Sequence, residues 1–265
     1  MSGADYTTLE KDILKGFHFC YPFPMEHDSP SLKPRLRLCL AASLAILVTL
    51  AHPAPVPGAD TASGGKEGTP RLIQLPEPKR SGSVSLEEAM AKRASVRDFR
   101  RRALTREEIS QLLWAAGGQT RSWGGRTVPS AGALYPLEID IVTPDGVFRY
   151  RPDRHRLEQR ASGNVIAKLA AAAYGQNCVA RAPSVVVLSA VYERTRGRYG
   201  NRAERYVHME AGHAAQNIHL QAVALGLGSV AVGAFHDDGV HHALGLANNE
   251  RPLYLIPVGE PLQGP

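Results

Sequence analysis

Two guanidinium groups and a hydroxyl lie close together in Arg93-Ala94-Ser95-Val96-Arg97. Planar arginine forks match the oxygens of a phosphate monoester. Further along stands Pro129-Ser130-Ala131-Gly132-Ala133-Leu134-Tyr135-Pro136, a run of small residues bounded by prolines. Backbone of that kind can approach a flat ligand with no side chain in the way. A glycine run follows at Gly226-Leu227-Gly228-Ser229-Val230-Ala231-Val232-Gly233. Alone, each is weak, because an arginine-rich turn is ordinarily a solvated surface. In this order the three describe a site for a phosphate joined to a flat ring system, and so point to flavin mononucleotide (FMN).

The elements that must position these residues are legible in outline. Ser85-Leu86-Glu87-Glu88 has the pattern of a capping box and opens a short helix over 89–93, which delivers Arg93 at its end. Thr105-Arg106-Glu107-Glu108 repeats the pattern. Ile109, Leu112, Leu113 and Ala116 then share one helical face, and Gly117-Gly118 stops the helix. Strands over 137–142 and 147–150 are joined by Pro144-Asp145-Gly146 and read as a hairpin. A helix is expected over 164–173 and a buried strand over 184–191, where β-branched residues run without a break. The longest helix should cover 203–224, and 253–258 should form a last strand. The fold class is α+β, a mixed central β-sheet flanked by helices.

The chain has 265 residues, of which 43% are hydrophobic, enough to build a core. Its formal charge is +6, and Arg97-Asp98-Phe99-Arg100-Arg101-Arg102 is a basic cluster. No nucleic-acid module surrounds that cluster, so an anionic cofactor or a solvated face is the better reading and no nucleic-acid partner is expected. Residues 1–51 differ from the rest. Lys33, Arg35 and Arg37 precede the apolar run 38–51, which is short for a membrane span and ends in small residues. This is the layout of a secretory signal peptide, with Met25 as an alternative start. The protein is therefore expected to be exported, with a membrane partner only if the segment stays uncleaved as an anchor. Cleavage would leave Cys178 as the single cysteine, so no internal disulfide is expected. Residues 52–82, rich in Pro, Gly, Ser and Thr, read as a linker, and 83–265 as the folded domain.

Over about 83–262 the chain resembles the nitroreductase family of flavin enzymes, and within it the branch of azoline-oxidising dehydrogenases of peptide natural-product clusters. The carriers are the arginine and proline-bounded motifs above, Arg198-Tyr199-Gly200, and Tyr206-Val207-His208-Met209-Glu210-Ala211-Gly212-His213-Ala214-Ala215-Gln216-Asn217. The glycine run and Pro257-Val258-Gly259 complete the set. The resemblance implies a nitroreductase-like fold and a homodimer whose two subunits both line each non-covalent FMN site. It implies that Arg93, Ser95 and Arg97 hold phosphate and ribityl oxygens, that Pro129, Ser130, Ala131 and Gly132 line the isoalloxazine edge, and that amides of Val232, Gly233 and Ala234 donate near N5 and O4. Hydride would pass through N5 to or from a small organic or peptide-derived substrate. Outside the cytosol, where nicotinamide dinucleotides are scarce, the reductant should be an organic substrate or a redox partner.

Departures limit what transfers. The azoline-oxidising branch has a catalytic Lys-Tyr pair where this chain has Arg198-Tyr199, and arginine stays protonated and cannot act as a base. Tyr199 can still donate or relay a proton. Typical members carry Asn and Gln in the proline-bounded loop, where Ala133 and Tyr135 stand here. The basic residue usual after the final Pro-Val-Gly is also missing. A non-catalytic flavin-binding or partner subunit is therefore the alternative reading. Glu210, His213, Gln216 and Asn217 are expected on one face of the long helix, as a buried polar network at the dimer seam. His208, His213 and His219 are spaced five and six apart, so their rings diverge and no metal site is expected. His236, His241 and His242 fall in a turn-rich, solvated stretch.

Overall fold

Ser184–Ala190 carries the apolar run Val185–Leu188 because it is buried on both faces, and it forms an interior strand of the sheet. The computed structural model describes residues 71–262. The expected signal peptide and most of the expected linker lie outside the described residues.

The strands are β1 (Leu72–Gln74), β2 (Leu137–Thr143), β3 (Gly146–Arg151), β4 (Arg156–Ser162), β5 (Ser184–Ala190), β6 (Gly228–Ser229) and β7 (Arg251–Gly259). The helices are α1 (Leu86–Lys92), α2 (Arg106–Gly117), α3 (Ile166–Ala172), α4 (Asn177–Ala180), α5 (Glu193–Tyr199), α6 (Ala203–Ala224) and α7 (Asp237–Leu244). One seven-stranded sheet runs in the order β1-β4-β3-β2-β5-β7-β6. Every strand pair is antiparallel, and the parallel component is a single bridge between Ser95 and Ser229.

Alternation along β5 divides the core. Val186 and Leu188 pack with α2 and α6, while Val185 and Val187 face α3, α4 and α7. On the second face Arg149 is buried and forms a carboxylate cluster with Asp140 at 2.7 and 2.9 Å, Glu250 at 2.7 Å and Glu138 at 2.8 Å. The cluster ties β2 and β3 to the residue that precedes β7.

The folded part begins earlier than Ser83. Residues 71–82, expected as linker, include β1 paired to β4 and an arm held by side chains. Ser110 donates to the Pro76 carbonyl at 2.6 Å, and Gln111 exchanges hydrogen bonds with the Lys79 backbone at 2.8 and 3.0 Å. Such long-range anchors leave no periodic signal in the arm itself. Around 236–242 the expected turn is instead α7. Asp237 and Asp238 complement its N-terminal dipole, and Gly245 closes it in the left-handed conformation at φ 60°.

Candidate active site

α1 starts on a Ser85 cap and ends at Arg93, after which the chain passes along the β6 edge of the sheet. The Val96 N–H donates to the Ser229 carbonyl at 3.0 Å. Gly228 permits this approach, since a Cβ there would fall 2.6 Å from the Val96 side chain. Arg93, Ser95 and Arg97 are exposed. Among the described residues no carboxylate pairs with either arginine, and Arg97 Nη1 reaches only the Ser95 carbonyl at 3.4 Å. Beside them His219 shares a hydrogen bond with Ser229 Oγ at 2.7 Å. Burial, and then the Arg93 charge, hold its pKa below the usual histidine value. Farther along the basic cluster, Arg100 and Arg102 pair with Glu260, and Arg102 also with Glu108. Those two charges are committed to structure.

The glycine run then follows β7. Val232 exchanges backbone hydrogen bonds with Leu255 at 2.8 and 3.0 Å. This corrects the expectation for Val232, whose amide is bound to the sheet and cannot donate to a ligand. The Gly233 and Ala234 amides have no acceptor among the described residues, and both residues are exposed. The Arg93–Arg97 turn and these two amides thus lie along the same edge of the sheet.

The proline-bounded loop leads into β2. Ser130 organises it: its Oγ accepts from the Tyr135 N–H at 2.9 Å and its carbonyl from the Ala133 N–H at 3.0 Å. Gly132, Ala133 and Tyr135 all adopt left-handed conformations, at φ 62°, 54° and 46°. Arg194 braces the Tyr135 carbonyl at 3.1 Å. Opposite Gly132 lie Arg198 and Tyr199, at the end of α5. A Cβ on Gly132 would sit 3.0 Å from Tyr199 Oη and 3.1 Å from Arg198 Nη1. The loop and the Arg-Tyr pair, remote in sequence, therefore meet at a position with no side chain.

Beneath the loop, α6 contributes Glu210, which is 5% exposed. Burial raises its pKa to about 7, against the neighbouring Ser130 hydroxyl and the nearby Arg126 charge, which both lower it. α6 links the two halves of the site. Glu210 contacts the loop and His219 contacts Ser229; nine residues separate them, about 14 Å along the helix.

The expected common face of α6 is split. Glu210 is buried and Asn217 donates inward to the Ala115 and Thr127 carbonyls at 3.2 and 3.4 Å, while His213 and Gln216 are exposed. At about 100° per residue, Asn217 falls about 20° from Glu210 around the helix, while His213 lies about 60° and Gln216 about 120° away and leave the buried stripe. The histidines diverge, with His208 on Tyr192 Oη at 2.7 Å and His219 on Ser229. Sequence reasoning missed Arg126, whose guanidinium stacks on the Tyr135 ring at 4.3 Å. No motif marks it, because its neighbours come from the loop, β2 and α6. A cavity of about 610 Å³, lined by Ile73, Leu104, Ile141 and Phe148 among others, lies at the opposite end of β2 and shares none of these site residues.

The nitroreductase family model matches residues 90–260, which contain both halves of this site. A protein of Methanocaldococcus jannaschii named as a nitroreductase is 46% identical over 197 residues, covering 72% of this chain and 97% of that one. The chain belongs to the nitroreductase family. It is accordingly an oxidoreductase with a nitroreductase-like fold. A nitroreductase crystal structure from Ralstonia eutropha JMP134 is 30% identical, with a TM-score of 0.67 over 76% of this chain and 93% of that one. A chain of the Escherichia coli microcin synthetase McbBCD complex, with truncated pro-MccB17 bound, has the same fold. It is 22% identical, with a TM-score of 0.58 over 71% of this chain and 78% of that one. β1 and the anchored arm lie ahead of the residues that the family model matches in this nitroreductase.

Proposed function

We propose that this nitroreductase binds FMN non-covalently and passes hydride between the flavin and a small organic or peptide-derived substrate. The observation that carries this reading is the set of uncommitted donors along one sheet edge. Arg93 and Arg97 have no carboxylate partner among the described residues, and the Gly233 and Ala234 amides have no acceptor. That donor set fits a phosphate at one end and a carbonyl- and nitrogen-edged ring at the other. When bound, FMN supplies two-electron hydride chemistry at N5.

The remaining work falls to this chain's own residues. Arg93, Ser95 and Arg97 bind the phosphate and ribityl oxygens. Gly233 and Ala234 orient the ring through their amides, and the backbone of Pro129, Ser130, Ala131 and Gly132 lies along its edge. Tyr199 holds a transferable proton at Oη, while Arg198 beside it stays charged and stabilises negative charge. The loop meets α6 at Glu210 and the arginine turn lies by His219, about 14 Å apart along the helix, and a homodimer in which both subunits line each site suits that separation. The exposed α6 face of Met209, Gly212, His213 and Gln216 supports that reading. The likeness to a microcin synthetase chain favours a peptide-derived substrate over other small organics.

The test is a titration of the purified full chain with FMN, followed by flavin fluorescence. Wild type should bind stoichiometrically, and bound flavin should bleach with dithionite and recover in air. Removing one charged hydrogen-bonding partner costs about 1.5–3 kcal/mol, so Arg93→Ala or Arg97→Ala should weaken FMN at least tenfold. Wild-type protein that leaves FMN free in solution would rule the reading out.

A further inference from the structure

Arg126 is a half-buried cation without a committed anion. Its guanidinium lies over the Tyr135 ring at 4.3 Å and makes no hydrogen bond among the described residues. Two carboxylates are near enough to act on its charge, Glu138 and Glu210. Glu138 is already held by Arg149 at 2.8 Å and by Arg194. Glu210 is mostly buried and loses much of its charge near neutral pH, because burial favours its neutral form. Arg194 adds like charge, and desolvation destabilises the Arg126 cation further. A guanidinium so placed gains from any anion that reaches it.

The space for such an anion is present. A cavity of about 350 Å³ is lined by Gln119, Trp123, Arg126, Ala133, Tyr135 and Asp153, among others. That volume lies within the range of small-molecule sites. Two of its lining residues, Ala133 and Tyr135, belong to the proline-bounded loop, so the cavity adjoins the candidate active site. Trp123 is 72% exposed, an aromatic face held at the rim. The acidic member, Asp153, is itself exposed and lies 3.7 Å from Arg154.

We propose that Arg126, Trp123 and Tyr135 form a substrate subsite that takes an aromatic carboxylate, with the carboxylate on Arg126 and the ring between the two aromatic side chains. The assignment as a substrate subsite rests on the flavin reading of the neighbouring loop. The carboxylate can belong to a free aromatic acid or to the C terminus of a peptide ending in an aromatic residue.

Equilibrium dialysis of the full chain with 4-nitrobenzoate and with nitrobenzene tests it, alongside Gly-Phe and its C-terminal amide. FMN affinity is measured on the same samples. The wild type should prefer 4-nitrobenzoate over nitrobenzene by tenfold or more. Preference for Gly-Phe over its amide would assign the peptide source, and indifference between them the free acid. Arg126→Gln should abolish the carboxylate preference and leave FMN affinity unchanged. Trp123→Ala, at a largely exposed position, should weaken both nitro compounds several-fold. Equal affinity of wild type for the two nitro compounds overturns the proposal. So does a loss of FMN affinity in Arg126→Gln that matches the loss of 4-nitrobenzoate, since Arg126 would then serve the flavin. A carboxylate preference in protein that ignores FMN upholds the anion site and defeats the flavin reading instead.

Discussion

Glu210 sets a pH dependence that can be worked out from its surroundings. Its carboxyl is buried under the Ser130 loop, and its pKa rises from 4.5 to about 7. Between those values the folded chain holds a proton that the unfolded chain releases. Stability contributed by the neutral acid is therefore complete below about 4.5 and is lost as pH rises toward 7. The full loss is up to roughly 3 kcal/mol, at about 1.4 kcal/mol per pKa unit. Glu210→Gln keeps the size and polarity of the side chain beside Ser130 and has nothing to titrate. Its stability relative to wild type should rise from pH 5 to pH 8, measured by urea unfolding at each pH. His155 and His219, both depressed by burial, titrate in the opposite sense, but they are common to the two proteins and cancel in the difference. An unchanged difference across that range would mean that Glu210 is ionised in the fold. None of this was legible in the sequence, where Glu210 is one polar residue among several at helical spacing. Its burial depends on which way α6 rolls against α2 and the loop.

At the scale of elements, what could be read was what is local. The Thr105 cap, with Glu108 answering its backbone N–H at 2.7 Å, starts α2 as its four-residue pattern implies. α6 runs over Ala203–Ala224 and the hairpin of β2 and β3 forms where their periodicities predict. The elements missed are those whose reasons lie elsewhere in the chain. β4 alternates charged and neutral residues and becomes a strand by pairing with β3 and β1. α5 is short, uncapped and rich in arginine, and it owes its place to packing against α6. The same distinction applies to the Arg149 cluster, whose members Glu138, Asp140 and Glu250 are unremarkable in sequence. Replacing Arg149 with Met leaves three carboxylates without their shared cation in a buried space. Breaking a buried ion pair from one side costs about 3–5 kcal/mol, so this variant should melt well below wild type in calorimetry. Asp140→Asn should cost less, because Glu138 and Glu250 still hold the guanidinium. Equal melting temperatures for wild type and Arg149→Met would mean that the carboxylates take up protons at little cost.

For the whole molecule, the decisive question is where the folded nitroreductase meets its electrons. Lys33, Arg35 and Arg37 ahead of the apolar run 38–51 have the layout of a secretory signal, and that segment lies outside the described residues. Among the described residues Cys178 is buried and free, a thiol kept from solvent oxidants by packing around α4. We propose that the protein is exported and that its reductant is an organic substrate or a redox protein, because an exported flavin site meets almost no nicotinamide dinucleotide. The expectation is specific. Full-length chain made in a bacterial host should appear in the exported fraction with a new N terminus near Ala51. Purified protein should turn over with a small organic donor at a rate that NADPH does not match. Two results together would reverse the argument: intact protein in the cytoplasm, and steady-state NADPH oxidation as fast as that of any donor tried. The flavin reading would survive that reversal, since it stands on Arg93, Arg97 and the free amides of Gly233 and Ala234. Only the source of the hydride would change, from a molecule met outside the cell to one made within it.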